Sequence, residues 1–310
     1  MLSNAASLAI LASYMITAVA LTARCIRVIQ RHPLQATRPS AVSLTLFTAL
    51  AIFSLATTWS YMFAYFRWSY FDWAASSSNL TVTDASQLRL GEWLRDTSLF
   101  KQAWFSALET PARAWWTLQI FGFCAIWSVM LSVQARKRGI ARIWVFMLLG
   151  QIVAISFASN LFFLAVLVHD AEEDKKTPSN VRKLRSRSSD TVILLANLTI
   201  TILLFRNLNG PYFMYLLLAP HVLAFAPILR DRLSHSGTPS HQLREPSKLL
   251  QFGILATLVA AGTSQVFRQG ADWRVILATL HEHPAVSSVG WDVICCWVSY
   301  TAWALLRDSD

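Results

Sequence analysis

Trp144-Val145-Phe146-Met147-Leu148-Leu149-Gly150-Gln151-Ile152-Val153-Ala154-Ile155-Ser156-Phe157-Ala158-Ser159-Asn160-Leu161-Phe162-Phe163 opens a run that continues to Val168 without a charged side chain. A helix needs roughly 20 mainly apolar residues to cross the hydrocarbon layer of a bilayer. With Ile143 this run reaches that length, and its polar members are all uncharged. It reads as a membrane span, and the chain repeats the pattern on both sides of it. Seven further apolar runs lie near 5–27, 41–65, 114–134, 191–206, 211–229, 250–267 and 289–306. Only Asn207-Leu208-Asn209-Gly210 separates the run at 191–206 from that at 211–229. Those two form either a tight helical hairpin or one span followed by a re-entrant segment. The expected fold is therefore all-α: a polytopic membrane helical bundle with about eight, or else seven, transmembrane helices, forming one transmembrane domain over residues 1–310.

Composition agrees. Hydrophobic residues make up 55% and charged residues 14% of the chain, with a mean hydropathy of +0.42. A soluble domain carries about 25% charged residues, so this much apolar surface exceeds what one water-soluble core needs. The formal charge of +10 comes from short basic clusters between apolar runs, such as Arg24, Arg27 and Arg31, and Arg136, Lys137 and Arg138. Clusters so placed anchor helix ends to anionic headgroups. No basic arm or RNA-binding motif accompanies them, which argues against nucleic acid as a partner. The lipid bilayer is the expected environment. Cys25, Cys124, Cys295 and Cys296 all fall inside apolar runs and read as small helix residues rather than a disulfide framework. The apolar run from Ala5 to Ala23 has no basic segment before it and exceeds a signal-peptide core, so it reads as a retained first span.

One connection is long. Residues 66–112 begin with aromatics and become polar, and within them Leu88, Leu90, Trp93 and Leu94 suit an interfacial helix or a lid over a cavity. Asn79-Leu80-Thr81 is a glycosylation sequon that favours a lumenal position for this segment, making the protein a multi-pass glycoprotein of the endoplasmic reticulum. The basic clusters conflict over orientation, because the loop at 169–189 carries six Lys and Arg residues opposite the side they would otherwise select.

An ionisable side chain inside a span costs about 2.5 kcal/mol or more, so each is a functional candidate. Asp292 is the first choice for a catalytic acid. With Cys295, Cys296 and Ser299 it forms a polar stripe on one face of the last span. Its alternative role is to cap that helix's own N-terminus. Glu109, just ahead of Thr110-Pro111, is the second choice, and favouring the dipole of the following helix is its alternative. Asp190 reads more readily as an N-terminal cap of the fifth span. Gln119, Gln151 and Asn160 either bind substrate or join helices by hydrogen bonds. His221 follows Pro220 in the sixth span, as a packed neutral histidine or as a proton relay. Trp116 and Trp127 stand out among thirteen tryptophans as candidates to line a cavity, where aromatic faces stabilise cations. Asp170-Ala171-Glu172-Glu173-Asp174 is followed at once by two lysines and has no second acidic motif. It reads as a solvated charge run, so no metal or other cofactor is expected. Phosphate-cradling glycine loops, Gly-x-Ser-x-Gly and His-Glu-x-x-His are absent.

The stretch Glu109-Thr110-Pro111-Ala112-Arg113-Ala114-Trp115-Trp116, together with residues 144–163, Pro220-His221 and Ser288-Val289-Gly290-Trp291-Asp292, resembles fungal integral-membrane terpene cyclases of the ascofuranone and macrophorin meroterpenoid type. The resemblance covers most of residues 100–306. It implies a metal-independent, acid-initiated cyclase of secondary metabolism, an isomerase or lyase, acting on a prenyl chain attached to an aromatic or quinone-like headgroup. An epoxide or olefin is protonated, internal alkenes or a hydroxyl trap the cation, and a final proton loss ends the cascade. In that setting Asp292 donates the proton, and its replacement by Asn or Ala is expected to abolish product while leaving protein abundance intact. The competing expectation is a non-enzymatic small transporter or membrane scaffold.

Overall fold

The computed structural model describes residues 4–30, 40–76, 89–169, 185–208, 210–233 and 247–308, and among them it contains helices and no strands. The helices are α1 (Asn4–Gln30), α2 (Ala41–Ser76), α3 (Leu90–Asp96), α4 (Leu99–Leu108), α5 (Pro111–Lys137), α6 (Trp144–Ile152) and α7 (Ile155–Val168). They continue with α8 (Arg185–Arg206), α9 (Phe213–Leu223), α10 (Ala226–Leu233), α11 (Lys248–Arg268), α12 (Trp273–Thr279) and α13 (Pro284–Asp308). Five of them, α1, α2, α5, α11 and α13, are long and apolar enough to cross a membrane. The sequon at Asn79 and the acidic run 170–174 lie outside the described residues.

The apolar helix α5 is the centre. Its apolar window is wholly buried, and α4, α7, α8, α11, α12 and α13 pack around it. A helix apolar on every side belongs inside a bundle. Thr110 and Pro111 start α5 as expected, the Thr110 hydroxyl accepting the Arg113 N–H at 3.3 Å. The outer helices turn large apolar side chains outward, among them Ile16 and Val19 on α1, Ile52 and Phe53 on α2, and Leu249 and Phe252 on α11. So much exposed apolar surface around a bundle is the surface a lipid bilayer solvates.

Three expectations change in detail. The run at 41–65 continues as helix to Ser76, so the aromatic start of the long connection belongs to α2. The run at 143–168 is not one helix: α6 ends at Ile152 and α7 begins at Ile155, with Ala154 extended (φ −168°, ψ 140°) between them. The run at 211–229 is likewise divided between α9 and α10. At 1.5 Å per residue the 11 residues of α9 reach only about 16 Å, well short of a ~30 Å crossing.

Farther along the long connection, its described residues from Arg89 onward form α3 and α4, held against α1 and α2. Trp93 Nε1 donates to Ser69 Oγ (3.2 Å), Ser69 donates to Gln102 Oε1 (2.8 Å), and Tyr65 donates to the Leu99 carbonyl (2.8 Å). These bonds anchor α3 and α4 as a wall. Farther along, Arg113 grips Glu282 with two nitrogens (2.7 and 3.3 Å) and also reaches Glu109, joining α5 to the α12–α13 link and to the end of α4.

Candidate functional site

The break between α6 and α7 creates a problem that Asp292 solves. The first N–H groups of a helix have no partner within it, and at membrane depth there is no bulk water to supply one. Asp292 on α13 reaches across: Oδ2 accepts the Ile155 N–H at 3.0 Å and Oδ1 accepts the Ser156 N–H at 2.8 Å. A carboxyl group there also meets the positive end of the α7 dipole. Asp292 is therefore a cap, but of another helix. Its own helix begins at Pro284, where the preceding His283 accepts the Ala285 N–H through Nδ1 at 3.2 Å. The polar stripe faces inward as expected, with Asp292, Cys295, Cys296 and Ser299 all buried.

Beside this cap lies a small chamber of about 120 Å³, lined by Asp292, Gln151, His221, Cys124 and Thr58, with Trp104, Phe121, Ile120 and Ile155 among its apolar walls. A larger chamber of about 910 Å³ adjoins it, sharing Thr58, Trp104, Gln151, Val153, His221, Ser288 and Val289 as common wall. Drug-sized ligands occupy cavities of roughly 300–1,000 Å³, so the larger chamber is of the right size for an extended organic molecule. It is walled by α1 (Ile10, Leu11, Tyr14), α2 (Met62, Tyr65, Phe66) and the α3–α4 wall (Leu94, Phe100, Trp104).

No family model, curated protein or solved structure matches this chain. What the site can do must accordingly be read from its own residues.

Gln151 lies in the last turn of α6 with its amide among three side chains. Its Nε2 donates toward Cys124 Sγ (3.2 Å) and Met147 Sδ (3.5 Å), while Oε1 meets His221 Nδ1. A thioether only accepts, which sets the amide with its NH₂ toward the sulfurs and its carbonyl toward the imidazole. His221 Nδ1 then carries the proton, and Nε2 is a lone-pair acceptor. That Nε2 is buried without a hydrogen-bond partner. Trp104 and Phe121 hold the ring edge to face, each with centroids 5.6 Å away. His221 packs against these rings and donates to another helix rather than to a carbonyl freed by Pro220.

The helix α6 sits where it does because residue 150 is glycine. A Cβ there would lie 2.6 Å from Cζ3 of Trp127, a side chain with no solvent exposure. Trp127 is thus a core residue against the back of α6, not part of either chamber wall. Four more candidates are placed elsewhere. Glu109 is half-exposed and paired with Arg113. Gln119 joins helices, accepting from Trp297 Nε1 (2.9 Å) and donating to the Trp115 carbonyl (3.0 Å). Asn160 donates to Ser299 Oγ (2.8 Å) and the Ser156 carbonyl (2.9 Å), fastening α7 to α13. Trp116 donates to the Ile276 carbonyl at 3.0 Å. None of the five lines either chamber. Asp190 also departs from expectation: α8 begins five residues earlier, at Arg185, and Asp190 pairs with Arg230 of α10.

Of the named candidates, then, Asp292, Gln151 and His221 converge. Sequence reading missed Trp104, Thr58, Tyr14 and Cys124 as chamber residues. Nothing in the sequence singles out Trp104, because nothing there shows that the later part of the long connection folds back against His221.

Proposed function

We propose that this protein is a membrane-bound enzyme of the endoplasmic reticulum that cyclises a prenyl chain by acid-initiated proton transfer, in the manner of the meroterpenoid cyclases it resembles. The observation that carries this reading is the meeting of Asp292, His221 and Gln151 in one small chamber that shares a wall with a large, mainly apolar one. A prenyl chain joined to an aromatic or quinone-like headgroup fits the larger chamber, with the reactive end of the chain in the smaller.

A carboxyl group offers about four lone-pair positions. The two α7 N–H groups use one on each oxygen of Asp292, leaving room for a proton. Asp292 in its acid form transfers that proton to an epoxide oxygen or a terminal alkene carbon, and the carbocation that forms is attacked by the next alkene. Each new carbon–carbon bond consumes one alkene π pair and passes the positive charge along the chain. The faces of Trp104 and Phe121 stabilise the moving cation through their ring quadrupoles, and the apolar walls exclude the water that would quench it. Loss of a proton from carbon regenerates an alkene, so the net change is an isomerisation.

The test is conversion of a prenylated phenol, and separately its terminal epoxide, by membranes containing the protein in the presence of a chelator and without nucleotide. Cyclised product is the expected result; recovery of both substrates unchanged would sink the reading. The broken α6–α7 helix favours a second reading, since discontinuous helices with capped ends also build transporter sites. Accumulation of the intact substrate inside sealed vesicles, with no chemical change, would select that reading instead.

A further inference from the structure

We infer that His221 is the base that ends the reaction, taking the final proton from carbon through Nε2, and that Gln151 is the positioning residue that keeps Nε2 unprotonated for that purpose. This rests on the cyclase reading above and assigns a role that reading leaves open.

His221 lines the small chamber together with the polar side chains of Asp292, Gln151, Thr58, Ser288 and Cys124. Of the side-chain acceptors lining the small chamber, Asp292 accepts an N–H on each oxygen and its remaining lone pair is the one that carried the initiating proton, while Gln151 Oε1 meets His221. Thr58 and Ser288 donate their hydroxyls to the carbonyls of Ser54 (2.7 Å) and Thr58 (3.1 Å) and keep lone pairs far less basic than an imidazole nitrogen, and Cys124 receives the Gln151 amide. His221 Nε2 alone has no partner, and it is buried. An unpartnered imidazole nitrogen with its lone pair free is the strongest neutral base among these groups. The place of His221 in the wall common to both chambers sets it beside a substrate chain passing between them.

The step balances. The C–H bond next to the last cationic carbon breaks, its electron pair forms the product alkene, and the proton joins the Nε2 lone pair. The resulting imidazolium keeps its Nδ1 proton on Gln151. Asp292 gave up one proton at the start and His221 gains one at the end, so the pair is reset when that proton returns across the small chamber they both line. If the Gln151 carbonyl were lost, the ring could carry its proton on either nitrogen, and the tautomer with Nε2 protonated has no lone pair to offer there.

The experiment compares products from the wild type and from His221→Gln, Gln151→Leu and Gln151→Glu, each normalised to folded protein. The wild type is expected to give one alkene. His221→Gln should still consume substrate but release isomeric alkenes and water-quenched alcohols, the wild-type alkene falling by about 10²-fold relative to them, the lower range for loss of a general base. Gln151→Leu should scramble products in the same direction, and Gln151→Glu, which restores an acceptor for Nδ1–H, should return them toward the wild-type ratio. An unchanged product ratio in His221→Gln, with the wild type active, overturns the assignment and leaves the cyclase reading standing. No conversion by the wild type removes both. Substrate deuterated at each carbon flanking the final cation adds a measurement on the wild type itself. Loss of label from one position supports a single fixed base, and loss from several overturns it even if every variant fails to fold.

Discussion

Replacing Asp292 by alanine removes both acceptors at the start of α7 in one change. Two backbone N–H groups, those of Ile155 and Ser156, are left in a buried site with nothing to bond. An orphaned buried donor costs about 1–3 kcal/mol, so the variant is expected to lose about 2–6 kcal/mol. At roughly 2 °C per kcal/mol for a chain of this size, the thermal midpoint in detergent should fall by about 4–12 °C. Asparagine keeps one carbonyl oxygen for one N–H and turns its NH₂ against the other, so its loss should be about half as large. The assay is the fraction of monodisperse protein surviving a graded heat step, which reads an operational midpoint even where unfolding is irreversible. The expected order is wild type, then Asp292→Asn, then Asp292→Ala. An alanine variant as heat-resistant as the wild type would refute the capping argument. The expectation that abundance is untouched by these substitutions does not follow once Asp292 holds a helix together, so activity must be expressed per folded molecule.

Gly150→Ala should be destabilised by about 1–3 kcal/mol, the usual cost of overpacking, since the new methyl meets Trp127 at 2.6 Å; a thermal midpoint equal to the wild type would count against the close approach of α5 and α6. The hydrogen-bonded Arg113 guanidinium holds the Glu282 carboxyl below its ordinary value of 4.5. The stability this pair contributes is therefore complete above about pH 4.5 and drains away as pH falls through the lowered value; Glu282→Gln should flatten that acid limb in midpoints taken from pH 6 down to pH 3. Burial, followed by the Arg113 charge, holds His283 below the usual histidine value, and its Nδ1 must stay unprotonated to accept the Ala285 N–H. Its contribution is full above about pH 6.5 and declines as pH drops, whereas His283→Asn, a cap without a titrating group, should remove that dependence. Trp104→Ala opens the wall shared by the two chambers and should raise the share of water-quenched product in a chromatographic assay; an unaltered profile would exclude Trp104 from shielding the cation.

Much of the architecture was legible in the chain itself. Each apolar run of the sequence became one helix or a pair of shorter ones, Thr110-Pro111 began α5, and the inward stripe from Asp292 to Ser299 followed from 3.6-residue periodicity. These features depend on residues near one another in sequence, where hydropathy and helical spacing act directly. The cysteines also behave as read, all four free and buried. The site was legible only in part. Asp292, Gln151 and His221 stood out as polar groups in greasy surroundings, but so did Gln119, Asn160, Trp116 and Trp127, which hold helices together. Polarity inside a span identifies a residue that needs a partner. It does not say whether that partner is another helix or a substrate.

The sequence alone determined that this chain folds as apolar helices in a membrane, because segment length and charge content settle that cost residue by residue. Only tertiary structure decided that the run at 143–168 breaks at Ala154, that an aspartate 136 or 137 positions away supplies the missing acceptors, and that His221 and Gln151 come together 70 positions apart. The physical reason is that a hydrogen bond requires two groups within about 3 Å. In a bundle, that proximity is set by how helices pack, and α13 lies directly against α7 where Asp292 meets Ile155 and Ser156.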